Sequence, residues 1–294
     1  MIEGDAAVSQ QLLAQGFDRV LFTGGTEIGR KVYEAAAPHL TPVTLELGGK
    51  SPVIVAADAD VDVAAKRIAW IKLLNAGQTC VAPDYVLAEA KIRDELVTKI
   101  GEAVTAFAAD EPAGMRIVNQ RQFDRLTGYL SNTKGTVAVG GTFDAADLRI
   151  QPTVVVDPDP AEPLMTNEIF GPILPVITVE SLDDAIRFVN SRPKPLSAYL
   201  FTKTRAVRER VIKEVPAGVC SSTTSRSRCR RLSCRSVGSA RREWAHTTAA
   251  GASRNSATAS RCSPSPPDPT YRASSTRRIQ RRRGSWRAGC SDGA

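Results

Sequence analysis

Two short segments of this sequence carry residues whose types and spacing can do chemistry. In Asn75-Ala-Gly-Gln-Thr-Cys80-Val-Ala-Pro-Asp84, the only cysteine of the first 219 residues follows a helical stretch and a glycine turn, where backbone can approach a ligand closely. A thiolate there can attack an aldehyde carbonyl, and the resulting thiohemiacetal can release a hydride to a nicotinamide. By residue type alone, a small, buried and inert cysteine is the commoner outcome. In Leu45-Glu46-Leu47-Gly48-Gly49-Lys50-Ser51-Pro52, a carboxylate stands between two leucines at the end of a strand. Partial desolvation at such a place raises a carboxylate pKa toward the range of a general base. A solvated edge-strand glutamate is the plain alternative.

Two further segments bear on a cofactor. Phe22-Thr-Gly24-Gly25-Thr26-Glu-Ile-Gly29 reads as strand, glycine turn and helix start. Such a turn turns backbone N–H groups and the positive end of a helix toward a pyrophosphate, and a merely tight strand-to-helix turn reads the same way. Asn167-Glu168-Ile-Phe170-Gly171-Pro172 is by itself only a turn before a strand. His39 reads as a surface residue, and the spacing of His, Cys, Asp and Glu contains no metal-ligand cluster.

The elements that must position these residues alternate between strand and helix, which predicts an α/β fold. Strands are expected at Arg19–Thr23, Val43–Leu47, Val53–Ala56, Tyr85–Leu87, Thr153–Val156, Pro175–Val179 and Ala198–Phe201. Helices are expected after an Asp5 cap (Val8, Leu12, Leu13), at Thr26–Ala37, after Asp60 with Ile68, Trp70, Ile71 and Leu74 inward, and at Ile92–Phe107, Gln120–Tyr129, Leu182–Asn190 and Ala206–Glu214.

Composition divides the chain. Residues 1–219 hold 23 Lys and Arg against 28 Asp and Glu, a net of −5. Residues 220–294 hold 16 Arg, no Lys and 3 acids, a net of +13. The basic excess therefore belongs to the tail and predicts no nucleic-acid or membrane partner for the rest. The tail, rich in Arg and Ser and without a sustained apolar period, predicts disorder. Its five cysteines are Cys220, Cys229, Cys234, Cys262 and Cys290, and Cys80 stands alone before them. A lone cysteine predicts a reducing, cytoplasmic compartment. No apolar run reaches the length of a membrane span, and the N-terminus has no leader pattern.

Together, the Leu45–Lys50 and Gly77–Cys80 segments resemble, nearly residue for residue, the two active-site signatures of the aldehyde dehydrogenase superfamily. The resemblance implies a Rossmann-like nucleotide-binding remnant over 1–47, a catalytic thiol domain over 48–219 and NAD or NADP as cofactor. It implies Cys80 as nucleophile and Glu46 as general base. Gly24, Gly25, Gly29 and Leu47 fall on the cofactor side; family members more often carry serine at the place of Gly25. By the same likeness, Glu168 holds the ribose hydroxyls of the nicotinamide nucleoside and Phe170 packs nearby. Cys80-Val-Ala-Pro-Asp-Tyr-Val-Leu is similar to the class 3 branch, which takes medium-chain, fatty or aromatic aldehydes, and family members are homo-oligomers. An oxyanion-binding asparagine and an adenosine-ribose lysine of the family have no counterpart here. Little activity is therefore expected of the chain without a complementing fragment. An inactive interaction remnant, a CoA-acylating enzyme and a basic nucleic-acid binder are the alternatives; Glu46 as a water-activating base favours hydrolysis over acylation of CoA.

The Arg-rich, Lys-free tail also suggests GC-rich DNA read out of frame. Codons can be chosen for Cys234 to Thr247 and beyond that give, from the third base, the family's Pro-Phe-Gly-Gly segment, and the single codon of Trp244 fits. The expectation is a frameshift, or a sequencing error, near Val219 or Cys220.

Overall fold

The computed structural model describes residues 1–110 and 115–223; the expected disorder of the tail lies outside the described residues from 224 onward. The strands are β1 (Val20–Gly24), β2 (Val43–Leu47), β3 (Pro52–Val55), β4 (Tyr85–Glu89), β5 (Thr136–Val139), β6 (Phe143–Asp144), β7 (Arg149–Ile150), β8 (Thr153–Val156), β9 (Ile173–Val179), β10 (Ser197–Phe201) and β11 (Val219–Thr223). The helices are α1 (Ala6–Leu13), α2 (Thr26–Ala36), α3 (Val61–Leu73), α4 (Ala90–Asp110), α5 (Gln120–Asn132), α6 (Pro163–Thr166), α7 (Leu182–Asn190) and α8 (Arg205–Glu214). Asp5 caps α1 by accepting from the Ala7 and Val8 amides, and Asp60 caps α3 through the Val63 amide, as short acceptors at helix starts do.

The principal sheet has seven strands in the order β11-β10-β3-β4-β9-β8-β5, parallel throughout except for the β5–β8 pair. A mostly parallel sheet is stable when both faces are covered, and the strand residues sort accordingly. Val53, Val55, Val86 and Val176 face Ile68, Leu96 and Ile100 of α3 and α4. Ile54, Leu87 and Ile177 face Ala185, Ile186 and Val211 of α7 and α8. A second, two-stranded sheet pairs β1 with β2 in parallel, setting Thr23 opposite Glu46 and Gly24 opposite Leu47. Its small core is Val32, Ala36 and Val43. The chain leaves this sheet at Leu47 and enters the large one at Pro52, so Glu46 lies just before the passage and Lys50 within it.

The structure corrects three expectations. Trp70 and Leu74 are 58% and 53% exposed: the inward stripe of α3 is Val61, Ala64, Ala65, Ile68, Ala69 and Lys72, Trp70 falls off that stripe, and Leu74 comes after the helix has ended at Leu73. Ordered structure runs past Val219 to Thr223, since β11 pairs in parallel along the whole of β10. Finally, Glu46 is exposed, on a strand whose inward residue is Val43. The leucines on either side of it in sequence project to the other face and do not desolvate it.

Candidate active site

The thiol turn begins where α3 ends. Leu74–Gly77 form a short 3-10 turn, Gln78 and Thr79 follow, and Cys80 sits half-buried as a free cysteine. Tyr199 on β10 donates its hydroxyl to the Val81 carbonyl at 2.5 Å. Burial pushes the Tyr199 phenol above its ordinary pKa; a Ser197 contact lowers it and the charge of an ionised Cys80 raises it, so the two groups are electrostatic neighbours.

Against this turn lies the second one, Asn167–Pro172. A Cβ on Gly77 would stand 2.3 Å from the Gly171 carbonyl oxygen, and Gly77 has φ +71°. Both facts require glycine there. The two turns are tied by a buried ionic cluster. Asp84, 3% exposed, pairs through Oδ2 with the Lys50 ammonium and accepts the Ile169 amide on Oδ1 at 2.8 Å. Lys50 donates also to the Leu164 and Asn167 carbonyls at 2.9 and 3.0 Å. Lys72, 3% exposed, donates to the Pro83 carbonyl at 2.8 Å, and burial lowers its pKa to about 8 against the pull of Asp84. Burial lowers Lys50 as well, with Asp84 opposing. Arg125 on α5 fastens the second turn from outside, donating to the Glu168 and Ile169 carbonyls at 3.1 and 2.6 Å.

Glu168 is the carboxylate that this packing desolvates. A Cβ on Gly48 would lie 2.2 Å from either of its oxygens, so the Glu168 side chain rests on the backbone that follows Glu46. Burial raises its pKa from 4.5 to about 7, Asp84 adds to the rise, and the Gly49 amide, Lys50 and Arg125 oppose it. Glu168 occupies the perturbed environment that flanking leucines suggested for Glu46. Phe170 is 37% exposed with φ +48°, a strained backbone for a bulky residue.

The glycine turn of β1 and α2 is a separate construction. Gly25 is the N-cap of α2 and makes no side-chain cap bond, and a Cβ there would meet nothing within 4 Å. Gly29, buried one turn later, has Leu47 2.8 Å from its Cβ position, and Gly24 has Phe22 at 2.6 Å. Gly29 thus lets helix and strand close together and Gly24 leaves room for the Phe22 ring of its own strand, whereas the space at Gly25 opens onto uncapped amides, a fit for a pyrophosphate. Leu47 is engaged in that helix–strand packing. Glu168 is already held by the Gly49 amide, so a ribose hydroxyl would share or displace that contact. Among the described residues no group of three or more His, Cys, Asp or Glu is arranged to hold a metal ion, and no helix is long and apolar enough to cross a membrane.

Sequence reasoning passed over Gln78, Lys72, Asp84, Arg125 and Tyr199. A signal existed for two of them: Lys72 falls on the apolar stripe of α3, and Asp84 immediately precedes a strand buried on both faces.

The profile of the Aldehyde dehydrogenase family matches residues 1–229. The rat protein named "Aldehyde dehydrogenase, dimeric NADP-preferring" (Rattus norvegicus) is 45% identical over 222 residues, 74% of this chain and 49% of that protein. "Aldehyde dehydrogenase family 3 member A2" of Mus musculus is 47% identical over 222 residues, 74% of this chain and 46% of that one. The chain thus spans about half the length of these curated relatives. Among solved structures, the substrate-bound state of Staphylococcus aureus AldH superposes with a TM-score of 0.72 at 41% identity, covering 76% of this chain and 50% of that chain. An NAD-dependent aldehyde dehydrogenase from Sinorhizobium meliloti superposes with a TM-score of 0.69 at 30% identity, covering 77% and 47%.

Proposed function

The chain belongs to the aldehyde dehydrogenase family, and from that premise we propose that its site is built to oxidise an aldehyde to a carboxylic acid with NAD or NADP. The observation that carries the reading is the convergence of the Cys80 turn and the Glu168 turn, packed through Gly77 and Gly171 and bound by Asp84 and Lys50 beside the end of β2.

In the proposed sequence the Cys80 thiolate attacks the carbonyl carbon, forming a C–S bond while the carbonyl electron pair moves to oxygen. When bound, the nicotinamide supplies a hydride acceptor, and loss of hydride from that carbon leaves a thioester on Cys80. Glu46 takes a proton from water, the hydroxide adds to the thioester, and cleavage of the C–S bond returns the thiolate. Solvent exposure of Glu46 suits a base that must reach water. Gly24, Gly25 and Gly29 would shape the pyrophosphate end, with Leu47 packed against Gly29, and Glu168 and Phe170 would hold the nicotinamide ribose. The division at residues 47 and 48 into a nucleotide-binding part and a catalytic part belongs to the same proposal. Exposed Leu74 and Val81 at the two ends of the thiol turn favour an apolar aldehyde, medium-chain or aromatic.

Purified chain, incubated with such an aldehyde and NAD or NADP, should form reduced cofactor that a Cys80→Ala variant does not form. Equal rates in both proteins would remove Cys80 from the mechanism. The proposed change of reading frame after about Val219 is checked separately, by resequencing the coding DNA. Absence of the Pro-Phe-Gly-Gly segment from both alternative frames would dismiss it.

A further inference from the structure

Three consecutive residues ahead of the thiol have positive φ: Asn75 at 53°, Ala76 at 53° and Gly77 at 71°. Left-handed backbone is normally visited by single residues, because Cβ then crowds the following carbonyl. Glycine escapes that crowding and asparagine tolerates it, but Ala76 does neither and is also buried. A run of three therefore needs something that holds it.

Besides the Gln78 backbone amide, which donates to the Asn75 carbonyl at 3.0 Å, the holding contacts centre on the Gln78 side chain. Gln78, 8% exposed, donates from Nε2 to the Asn75 carbonyl at 3.1 Å and to the Arg116 carbonyl at 3.0 Å. Its Oε1 accepts the Val118 amide at 2.9 Å. Asn75 answers by donating from Nδ2 to the Gln78 carbonyl at 3.1 Å. The partner segment is fixed in turn, with the Ile117 amide on the Leu148 carbonyl at 2.8 Å and Arg116 on the Asp147 carbonyl at 2.9 Å. Nothing in this set touches the reacting atoms, yet it fixes the backbone two residues before the thiol.

We propose that Gln78 is the positioning residue of the thiol: its carboxamide holds the left-handed turn at Asn75–Gly77 against its own strain by tying it to residues 116–118. The functional importance of that position rests on the reading of Cys80 as the nucleophile; the tether itself does not. The strain argument has a specific consequence. If Gln78 serves to offset the left-handed conformation of Ala76, removing that strain makes Gln78 dispensable.

The test compares wild type, Gln78→Met, Ala76→Gly and the double variant of the full chain. Two quantities are read peptide by peptide by mass spectrometry: amide hydrogen exchange, and the rate of Cys80 alkylation by iodoacetamide with Cys220 as the internal reference. In Gln78→Met, which removes three side-chain hydrogen bonds, exchange across residues 75–82 and 116–118 should rise about tenfold or more, tenfold being the equivalent of a single lost buried hydrogen bond. Alkylation of half-buried Cys80 should accelerate severalfold, toward the rate of the isolated peptide. Adding Ala76→Gly should return exchange across residues 75–82 and the Cys80 alkylation rate to near wild type, while Val118, whose acceptor is still missing, keeps its faster exchange. Unchanged exchange in Gln78→Met, no rescue by Ala76→Gly, or equal acceleration in the β3 and β4 peptides would each overturn the proposal. Should Gln78→Met not fold, Gln78→Glu carries the same comparison, since it keeps the acceptor for Val118 and loses both donors. The exchange result is independent of thiol chemistry, so failed aldehyde oxidation with intact rescue would count against the function and not against the tether.

Discussion

Replacement of Asp84 by asparagine should lower the unfolding free energy by about 3–5 kcal/mol, the usual cost of removing one member of a buried ion pair. Shape is preserved, and the side-chain oxygen can still accept the Ile169 amide. What goes is the charge facing two lysines, Lys50 with a side chain 10% exposed and Lys72 at 3%. Asp84 is the foremost influence raising the pKa of both against their burial. Without it, both fall further below their unfolded values. A lysine with a depressed folded pKa costs stability wherever the unfolded chain is protonated and the folded one resists protonation, so stability is lost as pH falls through the folded value. The defect of Asp84→Asn should accordingly be larger at pH 6 than at pH 9, as read from urea unfolding at each pH. A loss under 1 kcal/mol, equal at both pH values, would show that Asp84 is not the counter-charge of this cluster. The same substitution loosens the join between the two turns, since Asp84 reaches the Glu168 turn both directly, through Ile169, and by way of Lys50.

Why the sequence disclosed some of this and hid the rest can be argued from particular residues. Val43–Leu47, Thr153–Val156 and Leu182–Asn190 were legible with their observed limits, because β-branched runs or a Ser181 cap mark them locally. β11 was not: Cys220-Ser-Ser-Thr223 carries no apolar alternation, and it is a strand through its ladder to β10. Trp70 misled for a related reason, since an aromatic residue on a helix counts as inward until the rest of the stripe decides its face. At the site, segments that resemble family signatures could be recognised, but the environment of a carboxylate could not. Neighbours in sequence suggested that Glu46 would be desolvated, whereas the structure desolvates Glu168, 122 positions later, by seating it on Gly48. Desolvation depends on packing between turns distant in sequence, which a local motif does not contain.

That placement makes Glu168 the group whose ionisation should dominate the stability profile around neutrality. Its pKa rises from 4.5 in the unfolded chain to about 7 in the folded one, through burial first and Asp84 second. A raised folded pKa means that the folded state holds the proton longer. The contribution is therefore fully present below about pH 4.5 and is lost as pH climbs through about 7. At 1.36 kcal/mol per pKa unit the full swing is about 3 kcal/mol, and partial solvent access reduces it to roughly 1–3 kcal/mol. Glu168→Gln, which remains neutral on the same Gly48 seat, should follow wild type near pH 5 and be the more stable protein by that amount at pH 8.5. Asp84→Asn enters here as an internal control: removing the second influence should bring the Glu168 transition down in pH, toward its ordinary range. Urea midpoints of wild type and Glu168→Gln that stay parallel from pH 5 to 8.5 would mean that Glu168 ionises in the folded chain as it does in water. The seat on Gly48 would then be a resting contact without electrostatic consequence.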